Sequence, residues 1–156
     1  MPPIAAVVRY FLDTEFNGFG GALISLALVP EDGTEFYVIL KQDSPPLPWV
    51  EQNVVPYLDH VPVGLVSARL SRQDAALALS HYLAIDPAPD ILADWPEDIA
   101  QFSNLLMTGP GDMVPIPAIT FRLLPLPGFS TAATSTVPHN ALHDARALRE
   151  HVLGLE

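Results

Sequence analysis

Cysteine is absent from the chain, which excludes disulfides and thiolate metal sites. Basic residues are scarce: seven Lys and Arg stand against eighteen Asp and Glu, for a net charge of −11. That balance excludes a protein that grips nucleic acid through a broad basic surface, which needs many Lys/Arg–phosphate contacts. It leaves room for an enzyme that meets phosphate through bound cations, since the ions then dominate the local charge. Long apolar runs are missing as well. Those present are cut short by Arg9, Asp13 and Ser25, well below the roughly 20 residues of a membrane span. The opening Met1-Pro2-Pro3-Ile4 carries no basic segment, so no signal peptide is expected and a cytoplasmic protein is. There is no internal repeat or low-complexity tail. The 17 prolines fall mostly in loops, and none marks a domain boundary, so one domain over residues 1–156 is expected.

What is present is apolar material in recognisable periods. Ala5 to Leu12 is a nearly unbroken apolar run and predicts a buried strand. Ala22 to Val29 and Glu35 to Leu40 predict two more, joined by a turn at Glu31-Asp32-Gly33-Thr34. Helical spacing runs over Pro48 to Leu58 and more strongly over Ser71 to Ile85, where Ser71 is a cap and Ala75, Leu79, Tyr82 and Leu83 an inner face. A strand at Ile91 to Ala93, a helix at Pro96 to Met107, a strand at Pro117 to Leu123 and a helix at Ala141 to Leu153 complete the expectation. The order implies an α/β protein with a mixed central sheet flanked by helices, antiparallel at first and parallel later.

Three polar segments stand against this apolar background. Asp13 and Glu15 are two apart at the end of the first strand, so in extended chain they share a face. Two carboxylates held close are unfavourable unless a cation joins them, and hard ions such as Mg²⁺ or Mn²⁺ prefer oxygen ligands. The triplet alone fits a pair of solvated turn carboxylates as readily. Asp98 lies three residues after Trp95 and four before Phe102, on the apolar stripe of its helix. A charge there needs a partner, or else serves as a helix-start carboxylate favoured by the dipole. Asp94, just before Pro96, reads as a helix cap or positioning group. Asp144 borders the buried face of the last helix, and His139 precedes that helix on a loop, where an imidazole suits a general base near neutral pH. His143 is the competing base, and a surface role for both His139 and Asp144 is the bland alternative.

Together, Asp13-Thr14-Glu15-Phe16, Asp98 on a mid-chain helix, and His139-x-Ala141-x-x-Asp144 resemble the DEDDh 3′-5′ exonuclease superfamily over most of the chain. The wording around Asp13 is most similar to the RNase AS and RNase T-like exoribonucleases. Asp94 and Glu97 depart from the Asn and aromatic residues common in the second motif of relatives. The resemblance implies the ribonuclease H-like fold and a metal-dependent 3′-5′ exoribonuclease that releases nucleoside 5′-monophosphates from single-stranded 3′ ends. It implies that Asp13, Glu15, Asp98 and Asp144 hold two Mg²⁺ or Mn²⁺ ions, typically ~4 Å apart, and that His139 is the base. RNA is expected over DNA as the partner, and a homodimer is implied by small relatives.

Phe16 is expected either to stack on the terminal base or to pack in the core. Asn17 and Arg146 are expected near the terminal nucleotide and its phosphates. Arg69, Arg72 and Arg149 are further phosphate candidates, and Trp49 and Trp95 are expected to pack. The rival readings are a DNA exonuclease, an oligonucleotide or dinucleotide hydrolase with the same site, and a catalytically silent nucleic-acid-binding copy of the fold.

Overall fold

A computed structural model describes residues 7–156. Strand β1 spans Arg9–Phe16, β2 Leu23–Pro30 and β3 Phe36–Ile39. A short helix α1, Pro48–Asn53, precedes the longer α2, Arg72–Leu83. Then come β4 (Asp90–Ala93), α3 (Pro96–Leu106), a small hairpin of β5 (Met107–Gly109) and β6 (Asp112–Met113), and β7 (Thr120–Leu123). The chain closes with a short α4, Thr131–Thr134, and α5, Ala141–Gly154.

The five main strands lie in the order β3-β2-β1-β4-β7. β1 is antiparallel to β2 and parallel to β4, which makes the sheet mixed as the element order implies. Strand alternation then divides the core between two faces. Tyr10 and Leu12 pack with Ala75, Leu79, Phe102 and Leu105, so α2 and α3 cover one face. Phe11 packs with Leu148 and Val152, and Ala27 and Val29 with Ala141 and Ala145, so α5 covers the other. No helix among the described residues is long and apolar enough to cross a membrane.

Ser71 caps α2 as expected, its side chain accepting from the Asp74 N–H. Other boundaries differ for physical reasons. Ala5 and Ala6 of the expected first strand lie outside the described residues. At its other end β1 runs on through Phe16, so Asp13 and Glu15 sit inside the strand, opposite Ala27 and Ser25. The continuous apolar run of β2 supplies a ladder partner that far, and the register slips only between Glu15 and Phe16. The helix expected to reach Leu58 stops at Asn53 and gives way to a 3-10 turn at Val55–Tyr57. Pro56 is the cause, since it has no N–H to give the carbonyl four residues earlier and its ring crowds that carbonyl. The hairpin of β5 and β6 and the short α4 carry too little periodicity to be foreseen.

Candidate active site

The parity of β1 sets where each side chain goes. Thr14 shares a face with Leu12 and meets α3: its hydroxyl donates to Asp98 Oδ1 at 2.7 Å and its N–H at 3.2 Å. Asp13 and Glu15 share the Phe11 face, over which α5 brings Asp144. Carboxylates from β1, α3, α5 and the end of β4 therefore meet at the C-terminal ends of the two central parallel strands. Asp13, Asp94 and Asp98 place oxygens within 4.8 Å of one another, and Glu15, His139 and Asp144 form a second group at the same spacing.

Asp94 is thus part of the cluster and does not cap α3. The cap position belongs to Trp95, which makes no side-chain hydrogen bond there. The sequence pattern is ambiguous because a cap is a local feature. The use of Asp94 instead depends on β4 lying parallel beside β1.

Burial and mutual repulsion raise the proton affinity of the whole group. Burial, then the charges of Asp98, Asp144, Glu15 and Asp94, hold Asp13 well above the usual carboxylate range. Burial and Asp144 do the same to Glu15. Burial pushes Asp98 up to about 7 against the opposing pull of Thr14, and Asp144 up to about 6. Asp94 is raised by burial as well. Two oxygens, Asp13 Oδ2 and Asp144 Oδ1, are buried with no hydrogen-bond partner. Unsatisfied buried carboxylate oxygens are costly, and a hard divalent ion is the partner that suits an all-oxygen set with one imidazole. The residues present therefore fit a metal site.

Asn140 holds the other arm in place. Fully buried, it caps α5 by accepting from the N–H groups of Leu142 and His143, while its amide donates to the Tyr57 carbonyl. His139, one residue earlier, has φ of 65°, in the left-handed region that favours glycine. Its ring packs edge-on against Trp49 with centroids 4.9 Å apart. Burial lowers its proton affinity, which keeps the imidazole neutral near pH 7. His143 is tied up elsewhere, with Nε2 2.7 Å from the His60 carbonyl.

Aromatic residues rim the cluster. Phe16 is half-buried and outside the apolar clusters of the core; it walls a cavity of about 360 Å³ with Glu15, Phe19 and Trp49. Phe19 is 83% exposed and lies between Phe16 and Trp95, with centroids 6.4 and 6.2 Å away. Trp49 and Trp95, expected to pack, are instead 55% and 50% exposed. No periodicity signals this rim, because the rings come from the end of β1, the loop after it, α1 and the start of α3.

Two expected site residues are not brought to the cluster. Arg146 lies two positions past Asp144, about 200° around the helix, and makes a two-pronged ion pair with Glu35 at 2.5 and 2.7 Å. Asn17 is engaged by the chain itself: it accepts from the Leu47 N–H and donates to the Pro45 carbonyl.

No protein-family model matches the chain. Two curated proteins are similar to it, both named 3′-5′ exoribonucleases, from the CDC 1551 and H37Rv strains of Mycobacterium tuberculosis. Each is 32% identical over 152 residues, covering 89% of this chain and 88% of the relative.

Proposed function

Because the chain belongs to this family of 3′-5′ exoribonucleases, and so is a 3′-5′ exonuclease hydrolysing phosphodiester bonds, we propose that it removes nucleoside 5′-monophosphates one at a time from single-stranded RNA 3′ ends with two divalent cations, Mg²⁺ or Mn²⁺. One observation carries the reading: five carboxylates and an imidazole converge in two groups, with Asp13 Oδ2 and Asp144 Oδ1 buried and unpartnered. A binding module has no use for so much buried like charge. The wider readings of DEDDh membership and a ribonuclease H-like fold rest on the same residues and on the mixed sheet.

In this mechanism Asp13, Asp94 and Asp98 would hold one ion, and Glu15 and Asp144 would hold the other. When bound, the ions supply Lewis-acid stabilisation of charge on the attacking and leaving oxygens. The chain does the rest. Neutral His139 accepts the proton of the attacking water, and its left-handed backbone with the Trp49 ring behind it fixes the imidazole's direction. The cavity walled by Phe16, Phe19 and Trp49 takes the terminal base by stacking, worth roughly 1–3 kcal/mol in single-strand binders.

The reading is tested with purified protein, Mn²⁺ or Mg²⁺ and a 5′-labelled single-stranded RNA. A ladder shortened by single nucleotides is expected, with 5′-monophosphates released and chelator stopping the reaction. Undiminished activity in chelator overturns the metal assignment. Thr14→Val probes the same site from its support: the side chain keeps its shape and Asp98 loses a 2.7 Å donor. Mn²⁺ affinity, measured by titration, is expected to fall about tenfold, the range found when groups orienting a ligand are removed.

A further inference from the structure

Most of the scarce cations are already neutralised. Arg9 pairs with Glu31 and Glu156, Arg69 with Asp59, Arg122 with Asp90, Arg146 with Glu35 and Arg149 with Glu150. Among the described residues, Lys41 and Arg72 are the two basic side chains without an ion pair, and both are exposed. They stand together. Lys41 follows β3 and Arg72 opens α2, and a parallel bridge between Leu40 and Leu70 joins the two segments. The Lys41 N–H donates to the Leu70 carbonyl at 2.8 Å, so backbone hydrogen bonds set the spacing of the pair.

Both side chains line one cavity of about 400 Å³, in which Asp43 is the sole acid. A neighbouring cavity of about 550 Å³ shares Ala22, Leu23 and Arg72 and runs on to Pro96 and Glu97 in the first turn of α3. Glu97 there is occupied, accepting from the Gly20 N–H and the Gln101 amide. The result is a trough that runs from the first turn of α3, the helix that carries Asp98, to the two unpaired cations.

We propose that this trough carries the sugar-phosphate backbone of the RNA upstream of the scissile bond, with Arg72 and then Lys41 as its phosphate contacts. The proposal rests on the exoribonuclease reading and names how that site holds a strand longer than two nucleotides. Away from the metal site, a polyanion approaching a chain of net charge −11 meets a field that opposes it. Among the basic side chains, it gains most from those not already spent on internal partners.

The test compares wild type with the double variant Lys41→Ala, Arg72→Ala on a 5′-labelled single-stranded RNA and on a dinucleotide. The ratio of kcat/KM on RNA to kcat/KM on the dinucleotide is expected to fall about tenfold in the variant. The plot of log kcat/KM for RNA against log salt is expected to flatten by about 1.4, the loss of two single-strand phosphate contacts. The exchange variant Lys41→Arg, Arg72→Lys keeps both charges and should keep the wild-type ratio. A double alanine variant with the wild-type ratio and salt slope overturns the trough alone, and so does an exchange variant that falls as far as the alanines. Wild-type protein that cleaves neither substrate overturns the exonuclease reading, and the trough with it.

Discussion

Asp13→Asn is expected to reduce exonuclease turnover by about 10³-fold or more, some 4 kcal/mol of barrier, while making the metal-free protein more stable at neutral pH. Loss of activity with gain of stability is the signature of a charge held for a ligand. Asn keeps the shape of Asp and removes the charge. Asp13 is 7% exposed, its Oδ2 lacks any partner, and burial with four neighbouring carboxylates opposes its ionisation.

The sign of the pH dependence follows. Folded proton affinities above the unfolded value of ~3.9 mean that the folded state binds more protons, so stability falls as pH rises. The fall begins near the unfolded value and continues through the folded ones, marked by Asp144 at about 6 and Asp98 at about 7. In chelator the melting temperatures of variant and wild type should therefore agree near pH 4 and diverge toward pH 8. There the variant should melt roughly 5 °C higher, the shift that about 2 kcal/mol produces in a domain of this size. Mn²⁺ should raise wild type and close the gap. A variant that melts lower than wild type in chelator at pH 8 removes the case for a strained acidic cluster.

That cluster was only partly legible in the sequence. Asp98 could be read because its conflict is local: it lies four residues before Phe102 on a buried stripe, and the structure indeed buries it against β1. Asp13, Glu15, His139 and Asp144 could be read from spacing within their segments and from resemblance. What stayed hidden depends on long-range pairing. Asp94 looks like a cap until β4 is placed beside β1. Arg146 looks free until Glu35, 111 residues away, is brought against it. The convergence of Lys41 with Arg72, and of Phe16, Phe19, Trp95 and Trp49, has no period at all. The mixed sheet, antiparallel first and parallel later, followed from element order. The ends of elements did not, since β1 is extended by its partner and α1 is cut by Pro56.

Substitutions at His139 should separate its chemistry from its backbone. His139→Ala and His139→Gly both delete the imidazole, and both should lose roughly 10²–10⁴-fold in turnover, the usual contribution of a general base. Their stabilities should differ. At φ of 65° a β-carbon costs roughly 1–2 kcal/mol that glycine does not incur. The glycine variant should therefore melt about 3 °C or more above the alanine variant, with catalysis equally poor in both. His143→Ala, which removes the contact to the His60 carbonyl, should retain turnover within a few fold. If His143→Ala is instead the more damaging change, the base is His143 and the role given to His139 fails. If the two His139 variants are inactive but melt alike, the imidazole is still the base, and the left-handed backbone is then not what holds it in place. The pH profile adds an independent reading. Burial lowers the proton affinity of His139, so an acid limb set by this residue should fall below the ordinary histidine value of about 6.5 and vanish from the residual activity of either variant.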